Sequence, residues 1–299
     1  MDRQLLRKRQ YMTVDSAIEM AGFGRVQILY LLAACVVSFT EVQIIMTIGL
    51  TLPSVQCEWD LNNKDILTML MVGSTSFVVG GLSGGVVSDK YGRRKVILYG
   101  LLFMIVSGFL ATFQQNFVLF LVCRAGCLFF FTFIKPSSLC MILEITPRRF
   151  RFLVKMALMV SGQIGATCAS LTAFAIMNTS GWRMLLFWMI VPCITPLIIY
   201  IFLEESPRFL LVSGKTEEGV RILRQIYLRN GKEDVSSLVR NKRGVNRGQI
   251  GQLFTPEFEK TTLIVLAVFL MKNLISSTIH VAIPFIIKVR SQTFMSNTF

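Results

Sequence analysis

Three ionisable side chains interrupt apolar stretches that are long enough to cross a membrane as helices: Glu41, Arg124 and Lys272. A charged group at the centre of such a helix costs roughly 2.5–3.5 kcal/mol on insertion scales unless it faces a wet cavity or an opposite charge. At a helical rise of about 1.5 Å per residue, Glu41 and Arg124 lie at similar depths and are able to pair. Lys272 is a second candidate partner for Glu41. These residues are the first candidates for a binding or coupling site inside a membrane.

Neutral polar groups extend this candidate cavity. Gln163 lies among the small residues of the fifth apolar span, and Asn273 follows Lys272 directly. Hydrogen bonding between helices is an equally good interpretation of Gln163. Lys135 lies about a turn and a half from the end of the fourth span, so we expect its long side chain to reach the membrane surface.

A short basic turn separates two uncharged stretches, Ile66 to Val87 and Val96 to Phe113. Positive residues concentrate in cytoplasmic loops, so the turn predicts which side of the membrane is cytoplasmic. Its one acid, Asp89, is expected to contact guanidinium groups and the positive N-terminal end of the next helix. The cations of the turn are Lys90, Arg93, Arg94 and Lys95.

The composition is that of an integral membrane protein, with 53% hydrophobic residues, a mean hydropathy of +0.61 and 16% charged residues. The net charge of +14 comes mostly from segments on the side of the basic turn, so topology explains it and a nucleic-acid partner is not expected. The cysteines are scattered, and no nucleophile–base pair or phosphate-binding loop is evident. We therefore predict no enzyme, no metal and no cofactor.

The order of polar and apolar segments predicts four regions. Residues 1–25 form a cytoplasmic N-terminal segment, residues 26–203 six membrane helices, residues 204–260 a cytoplasmic linker, and residues 261–299 a seventh helix with a short tail. Pro53 is expected to end the first span, and Trp182 and Trp188 to anchor the sixth at the interface. Residues 217–229 predict an amphipathic helix lying against the bundle or the bilayer.

Three cytoplasmic motifs carry a resemblance to a known family. The pattern Gly-x-x-x-Asp-Lys-x-Gly-Arg-Arg-Lys from Gly85 to Lys95 resembles the loop between the second and third helices of the major facilitator superfamily. The Glu-x-x-Pro-x-x-x-Arg spacing after the fourth span and the Glu-Ser-Pro-Arg run after the sixth resemble further motifs of its sugar and organic-ion porters. The resemblance implies an inner gate and signature loop formed by Gly85, Asp89, Gly92, Arg93, Arg94, Glu144, Arg151, Glu205 and Arg208.

Residues 13–24 and 52–59 further resemble the synaptic vesicle 2-related group within that superfamily. The resemblance implies an all-α membrane protein with the six-helix N-terminal bundle of a transporter, a cytoplasmic linker and a seventh helix. The implied function is secondary active transport of a small organic solute or ion by alternating access, with proton coupling as one option. The protein would lie in a plasma or vesicle membrane with its N-terminus in the cytoplasm. That orientation argues against a seven-helix receptor.

A second interpretation stays open at this point. Family members have two six-helix repeats, whereas these residues account for one repeat, the linker and one further helix. The chain is then a truncated, non-transporting vesicle-membrane protein that binds or regulates a full-length transporter or a second half-transporter. Membrane lipid is an expected partner under either interpretation.

Overall fold

Long helices dominate the computed structural model, which describes residues 13–232, 255–256, 259–265, 267–268 and 271. Within those residues, six segments are long and apolar enough to cross a membrane: Arg25–Glu58, Asn63–Tyr91, Arg93–Phe113, Phe117–Ile145, Arg148–Met177 and Thr179–Phe202. The prediction of an all-α membrane protein with a six-helix bundle is confirmed. In chain order the helices are α1 (Val14–Ala21), α2 (Arg25–Glu58), α3 (Asn63–Tyr91), α4 (Arg93–Phe113), α5 (Phe117–Ile145), α6 (Arg151–Ile190), α7 (Ile194–Phe202), α8 (Pro207–Val212) and α9 (Thr216–Arg229).

The first long helix, α2, extends further than its sequence predicts. Pro53 was expected to end it, but the helix continues through the proline to Glu58. A proline inside a helix removes one backbone hydrogen bond, and tertiary contacts can offset that loss. Here Val55 is fully buried, and the Glu58 carboxylate accepts the indole N–H of Trp182 at 2.6 Å. These contacts hold the last turns of α2 in helical form.

Two glycine positions of α3 allow it to lie directly against α5. A Cβ atom at Gly80 would lie 2.3 Å from the carbonyl oxygen of Phe129, and one at Gly84 would lie 2.2 Å from that of Phe133. Real side chains do not tolerate such distances, so only glycine permits this approach. The same relation joins α6 to α2, where a Cβ at Gly165 would lie 2.3 Å from the Phe39 carbonyl oxygen. These contacts set the spacing of the bundle.

A second pair of glycines on α3 has a different environment. A Cβ atom at Gly81 or Gly85 would meet no other atom of the described residues within 4 Å. The two glycine stripes therefore do different things: one packs inside the bundle, and the other leaves a smooth face of α3 uncovered by the part of the chain that is described.

The sixth span follows a kink within α6. Gly181 interrupts the helical backbone with a φ of 79°, in the region that favours glycine. Trp182 immediately after it is buried against Trp59 and Phe120, with ring centroids 5.6 Å from each, whereas Trp188 is exposed. The prediction of two interfacial tryptophans is therefore wrong for Trp182, because the kink turns its ring into the bundle.

The short helices α1 and α9 pack on the protein, and α9 covers the amphipathic helix predicted for residues 217–229. Thr13 caps α1 by accepting the Ser16 backbone N–H at 3.3 Å. The Tyr227 hydroxyl of α9 donates to the carbonyl oxygen of Ala17 in α1 at 2.5 Å, and both helices bury their apolar faces. Of the two placements left open for residues 217–229, the protein surface is the one observed.

The predicted seventh span lies largely outside the described residues. Residues 259–265, 267–268 and 271 are helical, and Glu259 donates its backbone N–H to Thr255. Lys272 and Asn273 fall outside the described residues, so the seventh span and its place in a second repeat stay predictions.

Candidate functional site

A buried arginine joins three segments at the end of the bundle where α3 meets α4, here named the basic end. The Arg93 side chain is 3% exposed, and its Nη2 atom lies 2.9 Å from Asp89 and 3.0 Å from Glu144. The other Glu144 oxygen accepts the Ser206 hydroxyl at 2.5 Å. The end of α3, the start of α4, the end of α5 and the segment before α8 are thereby tied together.

The Arg93 guanidinium is hydrogen-bonded on one edge only. Its Nε and Nη1 atoms are buried and have no hydrogen-bond partner in the part of the chain that the structure describes. The Phe209 ring lies 4.9 Å from the guanidinium carbon and offers a cation–π contact. A buried charge held in this way can exchange partners when the surrounding helices move.

Glu205 caps the N-terminus of α4. Its carboxylate accepts the backbone N–H groups of Arg93 at 3.0 Å and Arg94 at 3.1 Å, and that of Ser206 at 3.0 Å. A helix N-terminus carries unpaired N–H groups and a partial positive charge, which is why an anion is stable there. Gly92 makes the approach possible: its φ is 104°, and a Cβ atom there would lie 2.5 Å from the Glu205 carboxylate.

The other arginines of the predicted gate bind partners outside the Arg93–Glu144 cluster. Arg94 donates to the backbone oxygens of Tyr200 at 3.2 Å and Ile201 at 2.6 Å, so it fastens α4 to α7. Arg208 pairs with Asp15 of α1 at 3.2 Å. Arg151 donates to the carbonyl oxygen of Thr146 in its own turn. Gly85 lies on the uncovered face of α3.

Inside the membrane region, the Glu41 carboxylate forms an ion pair with Lys135. Glu41 lies midway along α2 and its side chain is 7% exposed, whereas the Lys135 side chain is 51% exposed. A salt bridge to Lys135 was not expected, because Lys135 was predicted to reach the near membrane surface. Helical side chains lean toward the N-terminus of their own helix, and the N-terminus of α5 lies at the opposite end of the bundle. Lys135 therefore extends deeper into the membrane region, where it meets Glu41.

Arg124 has a different partner from the one proposed for it. It is buried and donates from Nη2 to the backbone oxygen of Ile44 at 3.0 Å, and no ion pair joins it to Glu41 among the described residues. Ile44 lies one turn from Glu41, so the similar depth was inferred correctly but the partner was not. Gln163 is exposed on α6, in line with Thr167 and Ser170 at helical spacing.

The residues that sequence reasoning missed are Lys135, Ser206, Phe209 and Asp15. The direction of the Lys135 side chain was inferable from the direction of its helix. Ser206 lies inside the Glu-Ser-Pro-Arg run and was available from that motif. Nothing in the spacing of Phe209 or Asp15 indicated their contacts with arginines.

Comparisons with known proteins agree with this geometry. The family model described as sugar (and other) transporter matches residues 24–294. The chain is similar to the Xenopus laevis synaptic vesicle 2-related protein, with 28% identity over 84% of this chain and 46% of that protein. It is also similar to organic cation/carnitine transporter 7 of Arabidopsis thaliana, with 31% identity over 73% of this chain and 43% of that one.

Solved structures show the same fold. The proton:xylose symporter XylE bound to 6-bromo-6-deoxy-D-glucose, a protein of the major facilitator superfamily, superposes with a TM-score of 0.58 at 20% identity. The superposition covers 67% of this chain and 49% of that one. The chain thus spans about half the length of the relatives and the structure that it matches.

Proposed function

Because this chain belongs to the sugar (and other) transporter family of the major facilitator superfamily, we propose that it forms the N-terminal half of a secondary active transporter. It is an integral, multi-pass membrane protein and not an enzyme. In the proposed mechanism the bundle rocks against a second six-helix half and opens a central cavity to each side in turn. The basic end and the N-terminus face the cytoplasm in this proposal, in a plasma or vesicle membrane.

The Glu41–Lys135 ion pair carries the proposal. A charged pair at mid-membrane is expensive to maintain, and such pairs in membrane proteins typically mark substrate or ion pathways. The half-exposed Lys135 side chain gives a solute access to the pair, while Glu41 stays enclosed. A solute carrying a carboxylate would bind Lys135 and release Glu41, and a solute carrying both charges would satisfy the two partners together.

The substrate we propose is therefore a small zwitterionic or anionic organic solute. The name of the Arabidopsis relative, an organic cation/carnitine transporter, agrees with a zwitterion. Release of Glu41 from Lys135 would leave a carboxylate able to take up a proton, which is how proton coupling would arise. Arg124 holds α5 against α2 beside this pair and positions Glu41 through the backbone at Ile44.

The cluster at the basic end acts in this proposal as the inner gate. Arg93, Glu144 and Ser206 hold four segments together while that face is closed, and separation of Arg93 from Glu144 would open it. Gly81 and Gly85 would then be the surface of α3 on which the second half docks, since close backbone approach needs small residues.

The test is uptake into proteoliposomes that contain the chain together with a second six-helix half, as the proposed mechanism requires. A panel of radiolabelled carnitine, xylose, an organic cation and an organic anion is offered with and without an inward proton gradient. The variants are Lys135→Met, Glu41→Gln and their double mutant, with Lys155→Met as the control because Lys155 is exposed on α6 away from the pair.

We expect uptake of at least one charged solute, lowered roughly 10–100-fold by each single variant, since a hydrogen bond to a charged group contributes about 1.5–3 kcal/mol. The double mutant should lose little more than either single variant, because the two residues act as one unit. Equal uptake by Lys135→Met and Lys155→Met would reject the site.

A second candidate function is supported by the uncovered face of α3, where Gly81 and Gly85 meet no other described atom. In it the chain takes no part in transport itself but binds a full-length relative or a second half-transporter and changes its activity. Absence of uptake for the whole panel, together with a change in uptake when a full-length relative is co-reconstituted, would favour this candidate over the first.

A further inference from the structure

An apolar groove opens on the surface of the bundle between α3, α4 and α5, close to the basic end. Its volume is about 280 Å³. The buried Gly100 forms its floor, where a side chain would collide with Ile134 of α5. The groove is lined by Val87, Tyr91, Lys95, Val96, Tyr99, Gly100, Phe103, Phe130 and Phe133.

The groove extends along α4 from a charged residue at the basic end to apolar residues deeper in the membrane region. Lys95, Tyr99 and Phe103 follow one another at four-residue intervals on one face of the helix, which spans about 12 Å at a rise of 1.5 Å per residue. Lys95 lies at the basic end, Tyr99 is 62% exposed, and Phe103 stacks on Phe130 with ring centroids 5.2 Å apart. Tyrosines favour the headgroup level of a bilayer, and phenylalanines the acyl level.

Two lysines near the groove, Lys95 in its lining and Lys90 over the ring of the lining residue Tyr91, differ from the neighbouring arginines in the contacts that hold them. Arg93 is held by Asp89 and Glu144, and Arg94 by backbone oxygens of α7. Neither Lys90 nor Lys95 forms an ion pair in the described part of the chain, and Lys90 lies over the Tyr91 ring at 5.3 Å. These two exposed lysines, here named the rim, therefore place positive charge beside an apolar groove.

We propose that this groove binds one anionic phospholipid of the leaflet that meets the basic end. The phosphate lies between Lys90 and Lys95, and one acyl chain lies in the groove against Val96, Gly100 and Phe103. Charge complementarity selects the anionic headgroup, and the apolar lining selects a chain over a free phosphate.

The groove stays accessible in the transporter that we propose. Val87 follows Gly85 by two residues, a turn of about 200° around α3 at 3.6 residues per turn. The groove and the uncovered glycine face thus lie on different sides of α3. The lipid site does not depend on transport, so failure of the uptake experiment would leave it standing.

The test is native mass spectrometry of the purified full chain with phosphatidylserine or phosphatidylcholine of identical acyl chains. Lys90→Gln/Lys95→Gln removes the rim charge, and Lys90→Arg/Lys95→Arg keeps it. Arg149→Gln/Lys155→Gln removes two exposed charges elsewhere and is the matched control. Val87→Trp fills the groove, with Leu82→Trp, on an exposed position of α3 outside it, as the control for size.

We expect the unsubstituted chain to retain phosphatidylserine over phosphatidylcholine by roughly tenfold or more. The rim glutamine variant should lose this preference, while the arginine variant and the charge control keep it. Val87→Trp should lower retention of both lipids, and Leu82→Trp should not. The proposal would be overturned if the charge control lost as much preference for phosphatidylserine as the rim glutamine variant, or if Val87→Trp retained as much lipid as the unsubstituted chain. It would also be overturned if the unsubstituted chain formed a dimer that Val87→Trp abolished, because a second copy of the chain would then fill the groove.

Discussion

Replacing Glu205 by glutamine tests whether the carboxylate that caps α4 holds the basic end together. The carboxylate accepts three backbone N–H groups, from Arg93, Arg94 and Ser206. In Glu205→Gln the oxygen at the Oε1 position still reaches all three N–H groups, that of Arg94 at 3.2 Å, whereas an amide nitrogen replaces the oxygen that accepts the Arg94 N–H at 3.1 Å. The variant therefore loses one hydrogen bond and the negative charge at the helix N-terminus.

The size of the effect follows from these contacts. A hydrogen bond to a charged group contributes about 1.5–3 kcal/mol and a neutral one about 0.5–1.5 kcal/mol. The helix dipole adds about 0.3–1 kcal/mol for an anion at this position. Because Glu205 is only partly buried, we take the lower ends of these ranges and expect Glu205→Gln to lower the free energy of unfolding by about 2 kcal/mol.

The assay is unfolding of the purified chain by sodium dodecyl sulfate in mixed micelles. A thiol-reactive dye reports the exposure of Cys127 and Cys193, which are buried in the folded bundle. Glu204→Gln is the matched control. The Glu204 carboxylate faces the Gln225 amide and does not cap α4, so this change removes a charge one residue away without removing the cap. Glu205→Asp keeps the charge on a shorter side chain and should fall between the two.

The reasoning would be refuted by equal unfolding midpoints for Glu205→Gln and Glu204→Gln. That result would mean that charge at this end of the bundle matters only through its total. A larger loss in Glu205→Asp than in Glu205→Gln would also contradict it, because reach would then outweigh charge at the helix N-terminus.

Three further changes have defined outcomes in the same unfolding assay. Gly84→Ala places a Cβ atom 2.2 Å from the Phe133 carbonyl oxygen and should destabilise by about 1–3 kcal/mol, whereas Gly85→Ala meets open space and should not. Tyr227→Phe removes the hydroxyl that donates to the Ala17 carbonyl of α1 and should lower stability by about 0.5–1.5 kcal/mol, with faster hydrogen exchange in α1. Trp182→Phe removes a 2.6 Å bond to the carboxylate that ends α2 and should lower stability by about 1.5–3 kcal/mol. The packing of α3 on α5 would be contradicted if Gly85→Ala lost as much stability as Gly84→Ala. Unchanged hydrogen exchange in α1 would contradict the role of Tyr227, and an unaltered unfolding midpoint for Trp182→Phe would contradict that of Trp182.

The membrane helices and the loops between them were predictable because their signals are local. Apolar stretches of sufficient length predicted the spans, and the basic turn with its one acid predicted the loop where Asp89 accepts a hydrogen bond from Arg93. The Glu205 cap was partly predictable, since its motif was recognised, but its partners at the start of α4 are separated from it by 111 and 112 residues. Contacts over such distances in sequence need the fold itself.

The Glu41–Lys135 pair shows why the charges inside the membrane were harder to predict. Depth along a helix can be counted from the sequence, and this count brought Glu41 and Arg124 to one level. It does not give the direction of a side chain or its rotation about the helix axis. Lys135 lies further along α5, yet its side chain leans back toward mid-membrane, so depth alone chose the wrong cation.

The contact between α1 and α9 also has a consequence for the synthesis of the chain. The residues joined by the Tyr227–Ala17 hydrogen bond are 210 positions apart, and the six membrane helices lie between them. At about 5–20 residues per second, a ribosome needs roughly 10–40 seconds to travel from one to the other. During that interval α1 is outside the membrane without the helix that covers its apolar face. The contact between α1 and α9 therefore forms only after the sixth span has been synthesised, when all six membrane helices are present.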